Sequence, residues 1–314
     1  MTSATETQAP WALTEPVSLS IQEAARVGRP AQDVRDVVIE PTGGALGAHV
    51  RGLDASRPIT GALALALKRA LQEHHILIYH GQSLTQSSYL AFATWFGSVF
   101  RPPQDVPVLA SEAKGTPPDV VPVANIEGGY TGNGELTPHS DHQWTPQPSA
   151  SSLLHALEVP WAGGGTSWYN LAKAYEDLDG DTKLAIQDLR LITYNPFLRG
   201  NESRPLYRTP EVEPLGPGFP HPLVITHPES GRKLLYLSTH TEVEVLGVVP
   251  AEGRALIEAL RDHIQKKKYR YDHSWQVGDI VHWDNLATLH SRQSFDAAER
   301  RVLWRVSLAG GRPF

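Results

Sequence analysis

The sequence predicts a mainly β fold with flanking helices, an antiparallel sandwich or barrel, and three observations lead there. The 314 residues include 26 Gly and 25 Pro, a turn-rich composition that suits many short strands better than a helical bundle. Most of the short apolar and β-branched runs are separated by turns and not by helical stretches, which favours antiparallel over parallel pairing. A content of 40% hydrophobic and 20% charged residues is ordinary for a soluble globular chain, so a sizeable core can form.

Taken in order, residues 1–35 are rich in Thr, Glu, Pro and Ala and read as an extended arm with one short helix near 20–27. A strand is expected over 37–39. Leu63, Leu65, Leu67 and Leu71 give helical spacing over Gly61–His74, and Ile76–Tyr79 is a short apolar strand stopped by His80 and Gly81. Thr85 reads as the N-cap of a helix running to about Phe96, with Gly97 as its stop. Residues 102–137 carry repeated Pro and Gly and read as a long surface loop, a lid, interrupted by a strand near 120–126. Further strands are expected over 150–158, 166–169, 191–194, 223–226, 233–237, 269–273, 279–283 and 301–309, with helices over 172–189 and 251–267. Residues 195–222 read as a Pro-rich insertion, leaving a single domain over 36–314.

Composition also excludes classes of function. The net charge is −6, from 34 acidic against 28 basic residues, and the longest basic run is Lys266, Lys267 and Lys268, so no nucleic-acid partner is expected. No run of about 18 apolar residues occurs and the first ten residues do not form a basic-then-apolar leader, so no membrane partner is expected and a cytoplasmic location is the simplest reading. The chain has no cysteine, which removes disulfides, cysteine zinc sites, iron–sulfur clusters and thiol nucleophiles together. Any metal must be held by nitrogen and oxygen, and 14 histidines are available.

His139-Ser140-Asp141 offers a histidine and a carboxylate two positions apart, which in an extended segment point to one face and can grip one ion. A third ligand would complete the two-histidine, one-carboxylate set that leaves three positions open on an octahedral iron. The chain has a second such tripeptide, His282-Trp283-Asp284. His139 follows a Gly- and Pro-rich loop, as suits a ligand at a barrel mouth, whereas His282 lies inside an apolar strand and reads as a structural histidine. His155, His221, His227 and His240 are assigned to structure or surface.

The ordered set His139-Ser140-Asp141, Gly164-Gly165-Thr166 with Trp168, Trp283-Asp284-Asn285 leading to His290, then Arg301 and Arg305, resembles the taurine dioxygenase (TauD/TfdA) family of Fe(II)- and 2-oxoglutarate-dependent dioxygenases. Thr166 lies 27 residues after His139, Arg301 lies 11 after His290, and Arg305 four later. The stretches 52–54, 77–82 and 226–233 are also similar, so the resemblance runs from about Val38 to Phe314. It implies a double-stranded β-helix core, a jelly roll of the cupin type. It further implies that His139, Asp141 and His290 bind Fe(II), that Arg301 and Thr166 hold the distal carboxylate of 2-oxoglutarate, and that O2 is the other cosubstrate. The implied reaction decarboxylates 2-oxoglutarate to succinate and CO2 while an unactivated C–H bond is oxidised, most simply to an alcohol. Because Asp141 is present, halogenation is not expected.

The resemblance is thinnest where the substrate would bind. The taurine enzyme has a histidine shortly after the Phe-Gly that ends the second helix; here Phe96-Gly97 leads to Ser98-Val99-Phe100-Arg101 instead, so taurine itself is not expected. Arg305 stands where the taurine enzyme holds the substrate's acid group, which points to a small anionic or zwitterionic substrate. The loop with Asn125, Tyr130, Asn133 and Glu135 is expected to form the lid and one wall of the pocket, and its Tyr130 and Glu135 are candidates for recognising an amine or hydroxyl. His142 and Trp144 are further candidates for the pocket wall, with Phe197 and Arg199 beside them; in an extended segment His142 would face away from His139 and Asp141. Desaturation, rearrangement or carbon–heteroatom cleavage in secondary metabolism, or breakdown of a sulfonate or aryloxy acid, would use the same residues. A non-catalytic jelly-roll binding protein would be expected to lack part of the iron triad or Arg301, and a zinc hydrolase would have no use for Thr166 and Arg301. Exposed apolar residues in the arm and helices permit a homo-oligomer.

Overall fold

A computed structural model describes residues 30–104, 106–111, 117–198, 206–214, 216, 218–239 and 241–314. The expected helix near 20–27, Arg199 and His240 lie outside the described residues. The strands in chain order are β1 (Val38–Pro41), β2 (Ala48–Arg51), β3 (Ile76–Tyr79), β4 (Val121–Ala124), β5 (Leu136–His139), β6 (Ser151–Glu158), β7 (Thr166–Asn170) and β8 (Arg190–Tyr194). There follow β9 (Gly218–Pro222), β10 (Val224–Thr226), β11 (Lys233–Leu235), β12 (Val243–Val245), β13 (Arg270–His273), β14 (Ile280–Asp284), β15 (Thr288–Arg292) and β16 (Val302–Leu308). The helices are α1 (Gly61–His74), α2 (Gln86–Thr94), α3 (Leu171–Glu176), α4 (Gly180–Ile186) and α5 (Pro250–Ile264).

Seven strands form one sheet in the order β1-β2-β3-β14-β6-β16-β4, and β13-β7-β15-β5 form an antiparallel sheet of four. Only the β2–β3 pair of the larger sheet is parallel. The two sheets close on a core in which Trp168 of β7 meets Trp283 of β14, ring centroids 6.0 Å apart, among Ile76, Ile78, Leu154, Val281 and Leu303. This is the double-stranded β-helix that the resemblance implies. Trp168 and Trp283 are both fully buried, so truncating either to alanine is expected to cost about 3–5 kcal/mol.

The apolar runs of β3, β6 and β14 do not alternate with polar residues because both faces of these strands are covered. Ile76 and Ile78 point into the sandwich while Leu77 and Tyr79 meet Leu63, Leu67 and Leu71 of α1 and Phe92 of α2. α1 starts where Thr60 accepts from Leu63 N and ends at His75 in the left-handed region. A third apolar cluster, behind the four-stranded sheet, joins Tyr169 and Leu289 to α3, α5 and β8.

Several expectations change. The single helix over 172–189 is two helices, because Asp177 ends α3 and Asp179 caps α4 by accepting from Thr182 N at 2.8 Å. The stretch 102–137 holds the expected strand as β4, which is wholly buried and pairs with β16, but it is less of a surface loop than expected, since Val108, Ala110 and Val120 are buried as well. The stretch 195–222 ends in β9, which pairs with β8. β2, β5, β12 and β15 were not anticipated as strands.

His227, in the β10–β11 turn, pairs its Nε2 with Asp284 Oδ2 at 2.8 Å, and both side chains are buried. Burial opposes the charge on His227, but the Asp284 hydrogen bond and charge outweigh it and raise its pKa above the ordinary histidine value. A raised histidine pKa contributes stability that is fully present below about pH 6.5 and is lost as pH rises through the folded-state value. His227→Gln is therefore expected to lower the melting temperature by a few degrees near pH 6, with the difference from wild type shrinking as pH rises to 9. A difference that grows with pH in a thermal-melt series would contradict this account of the pair.

Candidate active site

β5 and β15 are neighbours in the four-stranded sheet, and their register sets His139 directly opposite His290. The chain leaves β5 at His139 and turns, so Asp141 lies in the turn and not on an extended strand. The same-face argument for His139 and Asp141 therefore does not apply as stated; the turn itself returns the carboxylate to the histidines. Asn285 holds that turn: its Oδ1 accepts from Asp141 N at 3.0 Å and its Nδ2 donates to Asp141 O at 2.8 Å and Ser149 O at 2.9 Å. Ser140 adds a hydroxyl bond to Asn285 O.

The result is one cluster. His139 Nε2 lies 3.8 Å from Asp141 Oδ1 and His290 Nε2 lies 3.9 Å from Asp141 Oδ2, and one ligand atom from each of the three residues falls within 4.8 Å of the others. Among the described residues this is the one group of three or more such side chains that can share an ion. His139 Nδ1 lies 2.8 Å from Thr137 O, which as a donor to that carbonyl leaves Nε2 with its lone pair toward the cluster. Burial, with His139 next to it, pushes the His290 imidazole down to about 3, so it is neutral at physiological pH. Burial would raise the Asp141 carboxyl, but Arg305, then the neighbouring histidines, hold it well below the usual carboxylate range. Two imidazoles and one carboxylate suit a divalent iron.

A cavity of about 400 Å³ opens beside the cluster. Thr166 and Arg301 meet on its wall: Arg301 Nη2 donates to Thr166 Oγ1 at 3.4 Å and Arg301 Nε donates to Gly164 O at 2.9 Å. Gly164 has φ +65 and no room for a side chain, since a Cβ there would stand 2.8 Å from Pro160 and 3.2 Å from Arg301. Burial, with Arg292 next, pulls the Arg301 guanidinium down to about 9, still a cation at neutral pH. No carboxylate of the described residues pairs with it.

The remaining predicted residues divide. Arg305 is on the wall, with Nη1 donating to Asp141 Oδ2 at 3.0 Å. Tyr130 lines the rim and is partly exposed. Trp144 and Phe197 line the wall in edge contact, centroids 5.7 Å apart. His142 has φ +62 in the turn after β5, so strand alternation does not place it; it lines the cavity and stacks on Phe100 with centroids 4.1 Å apart. Glu135 is exposed and absent from the wall, because Leu136, the next residue, takes the inward position. Asn125 braces the start of β16 by accepting from Arg301 N, and Asn133 donates to Phe295 O. His282 sits in β14 bonded to Ser151 Oγ at 3.0 Å, away from the cluster.

Sequence reasoning assigned no role to three residues of the site. Asn285 was read only as part of a motif. Arg292 lines the cavity two positions after His290 and donates to Gly134 O. Trp275 donates from Nε1 to Thr166 Oγ1 at 2.9 Å. The strand alternation of Thr288–Arg292 was the available signal for Arg292, placing it on the side of His290.

Residues 39–307 match the family profile described as taurine catabolism dioxygenase TauD, TfdA family. The chain is 29% identical over 280 residues to pentalenolactone F synthase of Streptomyces arenae, covering 84% of this chain and 92% of that one. It is 30% identical over 276 residues to the alpha-ketoglutarate-dependent 2,4-dichlorophenoxyacetate dioxygenase of Burkholderia sp. (strain RASC), covering 81% and 89%. Among solved structures it is similar to AAD-2 in complex with Mn(II) and N-oxalylglycine, with a TM-score of 0.72 and 30% identity over 88% of this chain and 98% of that chain.

Asp141→Ala is expected to weaken Fe(II) binding by more than about 100-fold in anaerobic equilibrium dialysis, whereas His282→Gln leaves it within about twofold. Loss of iron in the His282 variant alone would move the metal to the second His-x-Asp tripeptide.

Proposed function

The chain belongs to the TauD/TfdA family and is an Fe(II)- and 2-oxoglutarate-dependent dioxygenase, and from that premise we propose the roles of its residues and the class of its substrate. His139, Asp141 and His290 hold the iron. Arg301 and Thr166 hold the distal carboxylate of 2-oxoglutarate, and the observation that carries this assignment is the buried Arg301 cation with no protein carboxylate beside it among the described residues. Bound iron and 2-oxoglutarate supply the oxidising power, with succinate and CO2 released as a C–H bond of the substrate is hydroxylated.

The protein's own contribution is placement, charge and dryness. Arg305 holds one oxygen of Asp141 and so fixes how the carboxylate faces the iron. Asn285 keeps the turn that carries Asp141 from relaxing. Trp283 and Leu154 line the floor and exclude water from the metal side of the cavity. The loop that carries Tyr130, Thr131 and Gly132 forms the lid.

The wall favours an anionic substrate with an apolar body. Phe100, His142, Trp144 and Phe197 make a continuous series of ring contacts, and His142 is neutral because burial pushes it down to about 3. Leu109, Val123 and Leu136 add aliphatic surface. Asp141 is the one carboxylate among the described lining residues and it is already paired with Arg305, so a substrate ammonium would find no partner. This narrows the anionic-or-zwitterionic expectation to the anionic case. The cavity of about 400 Å³ is shared between 2-oxoglutarate, at the Thr166 and Arg301 end, and the substrate. Relatives named for 2,4-dichlorophenoxyacetate and pentalenolactone F are consistent with that reading.

A substrate panel read out by succinate production tests it. Aryl- or cycloalkyl-bearing carboxylic acids are expected to stimulate succinate formation at least about tenfold more than taurine or amino acids of equal size, and Asp141→Ala is expected to abolish the stimulation. Preference for the amine-bearing compounds would contradict the proposed substrate class while leaving the cofactor assignment intact.

A further inference from the structure

Thr166 stands at the centre of a hydrogen-bond pattern that has a directional consequence. A hydroxyl group has one proton to donate and two lone pairs to accept with. In this structure Trp275 Nε1 donates to Thr166 Oγ1 at 2.9 Å and Arg301 Nη2 donates to the same oxygen at 3.4 Å. Indole N–H and guanidinium N–H groups can only donate, so both lone pairs of the hydroxyl are committed. The one hydrogen bond left to Thr166 is the one its own proton makes, and the cavity that Thr166 lines is open to it.

Trp275 is held for this task by the strand register. His273 of β13 pairs with Thr166 of β7, and Trp275 follows two residues later, buried, in the turn that leads into β14. The His273 ring meets the Trp275 ring edge-on, with centroids 4.8 Å apart and planes at 90°. His273 is itself fixed, since its Nε2 lies 3.0 Å from Asp279 Oδ2, and Asp279 also accepts from Gln276 N at 3.0 Å and lies 2.7 Å from His80 Nδ1. Asp279 is fully buried. The indole is therefore pinned on a rigid turn and not on a mobile loop.

Resting on the assignment of Thr166 and Arg301 to the distal carboxylate of 2-oxoglutarate, we propose that Trp275 is a positioning residue that locks the Thr166 hydroxyl as a donor and thereby makes this end of the cavity selective for a carboxylate over a carboxamide. A carboxylate accepts from both Arg301 and Thr166. An amide fails in either orientation: with its oxygen at Thr166 its NH2 group meets the Arg301 donors, and with its oxygen at Arg301 its NH2 group meets a hydroxyl that has no lone pair to offer. Without the Trp275 N–H one lone pair is freed, and the second orientation becomes satisfied. The cation at Arg301 discriminates by charge in any case; Trp275 adds discrimination by hydrogen-bond direction.

The test compares N-oxalylglycine, which ends in a carboxylate, with N-oxalylglycinamide, which ends in an amide. Each competes against 2-oxoglutarate for the Fe(II)-loaded protein without oxygen, monitored by the visible charge-transfer absorption of the 2-oxoglutarate complex. In Trp275→Phe the preference for the carboxylate over the amide is expected to fall by roughly fivefold or more, with N-oxalylglycine itself losing less than that. Trp275→Met, which fills the space without an N–H donor, serves the same comparison if the phenylalanine variant does not fold. Parallel weakening of both ligands with an unchanged ratio would reduce Trp275 to packing and overturn the proposal, as would no change in either. Failure of the underlying assignment gives a different result: Thr166→Val and Arg301→Gln would then leave N-oxalylglycine binding unaltered in the otherwise wild-type protein.

Discussion

Arg292, Arg301 and Arg305 all face the cavity, and the one carboxylate on its described wall, Asp141, is shared with Arg305. Burying a guanidinium without a counter-charge is costly, and removing one partner of a buried pair commonly costs about 3–5 kcal/mol. His142 and His290 do not relieve the excess and do not add to it, since burial keeps both neutral. A ligand that brings negative charge is favoured here, as a dianionic cosubstrate beside an anionic substrate of the proposed class would. Of the three arginines, Arg305 is the one that holds the Asp141 carboxyl below the usual carboxylate range in spite of its burial, which the metal assignment requires.

That charge arrangement is a product of strand register. β15 runs between β7 and β5, so His290 lies opposite His139 on one side and Trp168 on the other, and Arg292 lies opposite Thr166. β16 pairs with β6 and β4, and its period of two does not separate Arg301 from Arg305, four residues apart, so both turn inward. A one-residue slip of either strand would send these side chains to the helix-covered face. The apolar clusters on both sides of the sandwich fix the register, because Leu289 of β15 and Leu303 of β16 are buried in them in the present one.

Much of this was legible in the sequence where hydrophobic period and capping agree. α1 and β3 are read at their observed bounds, from the Leu spacing before His74 and the unbroken Ile-Leu-Ile-Tyr run after it. β15 and β5 were missed for a physical reason: they carry the candidate active site, so His290 and Arg292, or His139, occupy cavity-facing positions where a periodicity argument looks for leucine. β4 was anticipated within the long loop in spite of Pro122, which an edge strand tolerates. The split between α3 and α4 was announced by Asp179-Gly180 but overridden by apolar spacing. His139, Asp141, His290, Thr166 and Arg301 were placed by an ordered motif set. Asn285, Trp275 and Arg292 act through contacts such as Trp275 to Thr166, across 109 residues of chain, which no local pattern encodes.

The central claim is that buried Arg301 awaits the distal carboxylate of 2-oxoglutarate beside iron held by His139, Asp141 and His290. Anaerobic titration of the Fe(II)-loaded protein with 2-oxoglutarate tests it most directly. The account predicts a visible charge-transfer band for the wild-type protein and, for Arg301→Gln, the same band only at concentrations at least about tenfold higher, the loss of a charge-assisted pair. An unshifted midpoint in Arg301→Gln, or no band in folded wild-type protein carrying iron, would contradict it.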